Sequence, residues 1–135
     1  MTKQEFEDYL KSIGGLNNGW VHMDKEPIIK SPCECRSGWF SIIKNCIEEL
    51  IAIGWNKEIL QIKEKFGGLR FYTNGLPNGG TDIIIKYQDL SYHVCEVCGN
   101  EGKVRDTRWV QTLCDKHYDE EKERLKNKDA WRNIS

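Results

Sequence analysis

The sequence carries almost no net charge: 20 lysines and arginines stand against 21 aspartates and glutamates, for a formal −1. Without a global field there is no whole-chain electrostatic reason to expect a nucleic-acid or membrane partner, and any anion binding has to come from a local patch. No apolar run approaches the roughly 20 residues of a membrane span, and the polar start MTKQEFEDYL does not read as a signal peptide. A cytoplasmic protein without a membrane partner is the expectation. Internal repeats and low-complexity tracts are also missing, which at 135 residues leaves one domain, or one domain with a fused finger. No catalytic constellation can be assembled from sequence spacing, so an enzyme is the least supported class and binding without catalysis is expected.

What the chain does hold is cysteine, six in all, and in a reducing compartment that favours metal over disulfides. Cys95 and Cys98 form a C-x-x-C pair; after fifteen intervening residues Cys114 and His117 form C-x-x-H. Three thiolates and one imidazole complete a tetrahedral shell for one zinc ion per chain, with no position left for a substrate water, which marks a structural site. Gly99 allows the tight knuckle turn, KVR and RWVQT around Asp106-Thr107 read as a hairpin, and CDKHYDEEKERLKNK opens a helix. Knuckle, hairpin and ligand-bearing helix describe a treble-clef finger over residues 95–135, held by the metal. Enzymes of the HNH nuclease type share this scaffold but need a histidine in the hairpin, and KVRDTRWVQT has none.

Residues 1–94 read as an α+β core. Thr2 and Glu5 make a capping box for a helix with Phe6, Tyr9, Leu10 and Ile13 on one face, stopped at Gly14-Gly15. Residues 16–36 read as a loop anchored by Trp20. A broad stripe of Trp39, Ile42, Ile43, Cys46, Ile47, Leu50 and Ile51 predicts the main core helix, ended by Gly54. Residues 59–66 and 69–73 predict a hairpin around Gly67-Gly68. With the two glycines as the whole loop, Lys65 faces Arg70, Glu64 faces Phe71 and Lys63 faces Tyr72, and the apolar face carries Leu60, Ile62, Phe66, Leu69 and Phe71. After a flexible loop over 74–80, Thr81 is expected to cap a third helix with Ile83, Tyr87, Leu90 and Val94 on its inner face. The final KNKDAWRNIS is expected to fray unless Trp131 docks.

The strings SGWFSIIKNCIEEL, QIKEKFGGLRFY, SYHVCEVCGNEGKVR and WVQTLCDKH, in this order, resemble a family of small bacterial and phage proteins of unassigned function. The resemblance covers most of residues 35–118 and implies a phage or prophage setting more than a chemistry. Cys33 departs from it, giving CEC where the family pattern has one cysteine.

Lys63, Lys65 and Arg70, with Tyr72, make a local basic and aromatic patch on the hairpin's outer face. Like charges directly opposed across a hairpin cost stability unless something negative sits there, so a small anionic ligand is the candidate partner. Arg105, Arg108 and Trp109 on the finger's hairpin offer a second basic and aromatic surface, with Trp109 alternatively a lid over the thiolates. Together with the phage resemblance this suggests an anti-defence protein that captures a signalling nucleotide. An adaptor for a host protein and a nucleic-acid-binding finger are the alternatives, and a homo-oligomer could set two hairpins around one polyanion. Glu64 on the apolar face must sit at the rim or find a partner. Cys33, Cys35 and Cys46, with His22, make a poor second zinc site, because C-x-C chelates one ion badly and Cys46 falls on the apolar stripe.

Overall fold

The computed structural model describes residues 1–14 and 33–132, with side chains described through residue 127. The expected anchor Trp20, His22 and the side chain of Trp131 lie outside the described residues. The fold is α+β, with a three-stranded and a two-stranded sheet. Helix α1 (Lys3–Ser12) begins at the capping box: Glu5 N donates to Thr2 Oγ1 and Thr2 N to Glu5 Oε1, each at 3.1 Å. Phe6 and Leu10 are buried on its inner face, and the Phe6 ring stacks on Phe40 with centroids 4.4 Å apart. A 3-10 turn, Ser37–Trp39, leads into α2 (Phe40–Ala52), whose buried Ile43, Cys46, Ile47 and Leu50 are the centre of the core. Gly54, at φ 95°, takes the left-handed conformation that ends the helix.

Strands β2 (Ile59–Lys65) and β3 (Gly68–Thr73) pair antiparallel as expected, but two residues out of the register read from the two glycines. Lys65 pairs with Gly68, Glu64 with Leu69, Lys63 with Arg70 and Gln61 with Tyr72. The two positive-φ residues of the turn are Phe66 (54°) and Gly67 (82°). Gly68 is in the strand for another reason: a Cβ there would stand 2.4 Å from the ring of Tyr92. Since side chains alternate with period two, a slip of two leaves Ile62, Lys63, Leu69, Arg70, Phe71 and Tyr72 on their expected faces while changing their partners. Phe66 thereby leaves the apolar face and stands 70% exposed at the tip. An irregularity between Ile59 and Gln61 turns Ile59 inward and leaves Leu60 exposed, the reverse of simple alternation. The expected loop over 16–36 ends sooner than read, because β1 (Cys33–Glu34) pairs parallel with β2, Cys33 to Ile62 and Glu34 to Lys63.

Helix α3 (Gly80–Ser91) is present, capped by Gly79 at φ 87° rather than by Thr81. Its buried residues are Gly80, Tyr87 and Ser91, and Leu90 lies off that row, exposed. Tyr87 donates its hydroxyl to Glu49 of α2, and Lys86 pairs with the same carboxylate at 2.6 Å. Strands β4 (Lys103–Asp106) and β5 (Val110–Leu113) form the second sheet, followed at once by α4 (Asp115–Arg132).

Candidate metal centre

The knuckle, the end of the β4–β5 hairpin and the start of α4 converge on one point. Val94 bridges to Glu101, and Gly99 N donates to Cys95 O at 2.9 Å with Gly99 at φ 82°, closing the knuckle that aims Cys95 and Cys98 at each other. The β4–β5 hairpin returns the chain to Cys114, which sits immediately before α4. There it accepts from His117 N at 3.5 Å, as a helix-capping side chain does. A spacing of three in the first helical turn places His117 on the face of Cys114.

The donor atoms of Cys95, Cys98, Cys114 and His117 all lie within 4.8 Å of one another. Metal–sulfur bonds of about 2.3 Å and metal–nitrogen bonds of about 2.0 Å give tetrahedral edges of about 3.8 Å for S–S and about 3.5 Å for S–N. Cys98 Sγ to Cys114 Sγ is 3.8 Å, Cys95 Sγ to His117 Nδ1 is 3.6 Å, and Cys114 Sγ to His117 Nδ1 is 3.1 Å. The residues therefore fit a single tetrahedral ion bound through the Nδ1 of His117. The other ring nitrogen faces Glu120 at 3.9 Å, a carboxylate placed to orient the imidazole. Burial alone would raise the Cys95 thiol, but the backbone amides of Cys114, Cys98 and Val97 outweigh it and hold the group down at about 7, ready to ligate as thiolate.

The knuckle is bound to the core. Gly38 N donates to Glu96 O at 2.7 Å, the buried indole of Trp39 donates to Val94 O at 2.8 Å, and Arg36 N donates to the Glu96 carboxylate at 3.2 Å. Gly38 lies so close that a Cβ would meet Cys95 O at 2.2 Å and Glu96 O at 2.4 Å. From the other side Thr112 of β5 donates to Gly67 O at 2.6 Å, and Ser91 Oγ accepts from Leu69 N at 2.9 Å. The S-G-W string opening α2 is thus the seat of the metal knuckle, a role its helical periodicity does not show.

No protein-family model, curated protein or solved structure matches the chain.

The other candidate residues fall into two groups. Lys63, Lys65, Arg70 and Tyr72 share the outer face of the three-stranded sheet, although the facing like charges are Lys63 and Arg70 rather than Lys65 and Arg70. Glu34 continues the same row on β1, so the order across the sheet is acid, base, base. Arg70 donates to its neighbour's carbonyl, Leu69 O, at 3.1 Å, and its guanidinium reaches Tyr92 Oη at 3.4 Å. Lys65 lies over the Phe66 ring at 5.7 Å, and Tyr72 is exposed. Glu64 has a structural partner: its Oε1 accepts from Gly67 N at 2.8 Å and closes the turn.

The finger residues are differently placed. Arg105 donates to Leu113 O at 3.1 Å and to Asp115 at 2.6 Å, and lies over the Tyr118 ring at 4.5 Å, so it ties the hairpin to α4. Trp109 is 44% exposed, with Arg124 near its ring, and is not a buried lid over the thiolates. Arg108 stands in the same three-residue connection between β4 and β5. His93 is exposed and uses its backbone to accept from Gly102 N at 2.9 Å. Cys46 is buried in the core, while Cys33 and Cys35 bring their sulfurs within 3.1 Å of each other. Sequence reasoning missed Phe66, Glu34 and Tyr92. No sequence signal separates the two possible turns, since a phenylalanine at positive φ is not what composition favours.

Proposed function

We propose that the chain is a zinc-stabilised binding protein without catalytic activity that captures a small anionic ligand, such as a signalling nucleotide, on the outer face of the β1–β2–β3 sheet. The observation that carries this reading is the direct opposition of Lys63 and Arg70, with Lys65 one row away and, among the described residues, Glu34 as the acid in register with them. Two cations facing across a hairpin are destabilising by a few tenths of a kcal/mol unless an anion bridges them. Phosphate oxygens answer that requirement, and the exposed rings of Tyr72 and Phe66 offer stacking surfaces for a base. Zinc is the ion proposed for the metal centre, because three thiolates and an imidazole in a closed tetrahedral shell suit it best. The resemblance of the S-G-W-F, F-G-G-L-R-F-Y and C-E-V-C-G strings supports a phage or prophage setting, with action in the host cytoplasm against antiviral signalling.

Native mass spectrometry of protein purified without chelator tests this in one measurement. One zinc per chain and a co-purifying phosphorylated compound are expected, with the compound lost from a Lys63→Ala, Lys65→Ala variant that keeps its zinc. Retention of the compound by that variant would overturn the assignment of the site.

A second reading rests on Phe66. A bulky side chain at positive φ and 70% exposed is costly on both counts, and such tips serve protein contacts as adaptors do. Under it, Phe66→Asn abolishes capture of a host protein and the lysine variant does not.

A further inference from the structure

The metal centre uses three of the six cysteines, and Cys46 is sealed in the core at 0% exposure. Cys33 and Cys35 remain. Cys33 lies in strand β1 and Cys35 just beyond its end, and both pack partly buried against the core cluster. The chain bends at Cys35 directly after the strand, and the two sulfurs stand 3.1 Å apart. Closing to the about 2.05 Å of a disulfide requires an approach of roughly 1 Å.

The geometry points to Cys33 and Cys35 as a dithiol site, separate from the metal centre, that closes reversibly to a disulfide by exchange with a low-molecular-weight disulfide of the glutathione class. The Cys33 thiolate attacks one sulfur of the small disulfide, forming a mixed disulfide and expelling one thiolate. Cys35 then gives up its proton and attacks the Cys33 sulfur, forming the intramolecular bond and expelling the second thiolate. Two cysteine thiols lose two electrons and two protons; the small disulfide gains both and leaves as two thiols. The order of attack agrees with the environment: the hydrogen bond from Cys35 holds the Cys33 thiol below its ordinary value, and the same contact pushes Cys35 up. Glu34 lies between the two, in register with Lys63, so closure would stiffen an acidic position in line with the basic row.

Trypsin provides a clean readout, because cleavage after Lys30 and Arg36 releases residues 31–36, SPCECR, which holds these two cysteines and no other. The protein as purified is equilibrated with glutathione at increasing proportions of its disulfide, alkylated and digested. The expected result is loss of alkylation at both cysteines of this peptide, with a mass lighter by two hydrogens, reversed by dithiothreitol. The peptides carrying Cys95, Cys98 and Cys114 should still be alkylatable once the metal is removed. Cys33→Ser and Cys35→Ser should each hold one glutathione on the remaining thiol. The proposal is overturned if SPCECR stays doubly alkylated throughout, if the Cys95 cluster oxidises first with release of its metal, or if a second metal ion disappears in Cys33→Ser.

Discussion

Gly38 shows how much one missing Cβ can decide. Its amide holds Glu96 O, and its Cα faces two carbonyls of the knuckle too closely for any side chain. Gly38→Ala must displace backbone rather than a flexible tip, and the expected loss is about 3 kcal/mol, measured by chemical denaturation of the metal-loaded protein. Cys95 carries a second residue-scale prediction. Its thiol is held at about 7 against an ordinary 9.0, so a substantial share of the thiolate needed for ligation is already formed at neutral pH. Protons compete with the metal as pH falls below that value, and affinity should drop steeply on the acid side. A competing chromophoric chelator titrated at several pH values would read this directly; affinity unchanged between neutral and mildly acidic solution would mean that Cys95 is not a ligand.

At the scale of elements, the hairpin was legible in kind and misread in register. The K-E-K-F-G-G-L-R-F-Y string has the alternation and the glycines of a tight turn, but either pair of central residues satisfies the composition. Packing decides between them: Tyr92 occupies the space beside Gly68, and Thr112 binds the carbonyl of Gly67. The outcome puts Phe66 at φ 54°, where asparagine is far more at ease. Phe66→Asn is therefore expected to stabilise the protein by about 1 kcal/mol, seen as a rise of a few degrees in Tm. A fall in Tm would show that the ring contributes packing that its exposure conceals. The cap of α3 is the same lesson in another place, since Thr81 has the right chemistry for a cap but Gly79 and Pro77 set the chain direction first.

For the molecule as a whole, the metal finger and the helical core share hydrogen bonds and stabilise each other. The Trp39 indole is fully buried and donates to Val94 O, next to the first ligand. Removing the metal frees the knuckle, and a closed site of this type contributes on the order of 10 kcal/mol in finger-sized units. Chelation should therefore loosen the core as well as the finger. A red shift of tryptophan emission on chelation, absent in Trp39→Phe, is the expected result; a shift that persists in that variant would place the change at one of the other four tryptophans.

The metal ligands, the core stripe of α2, the capping box of α1 and the existence of both hairpins were determined by the sequence alone. Each depends on spacing along the chain, on donors three apart or apolar residues at helical or strand period. The register of the first hairpin, the strand at Cys33–Glu34, the seating of Gly38 on the knuckle, the tethering of Arg105 and the meeting of Cys33 with Cys35 at 3.1 Å were decided by tertiary structure. For most of these the reason is that the deciding partner stands far away in sequence, as Tyr92 does from Gly68 and Glu96 from Gly38. For the cysteine pair it is a bend in the backbone that no residue type at that position announces.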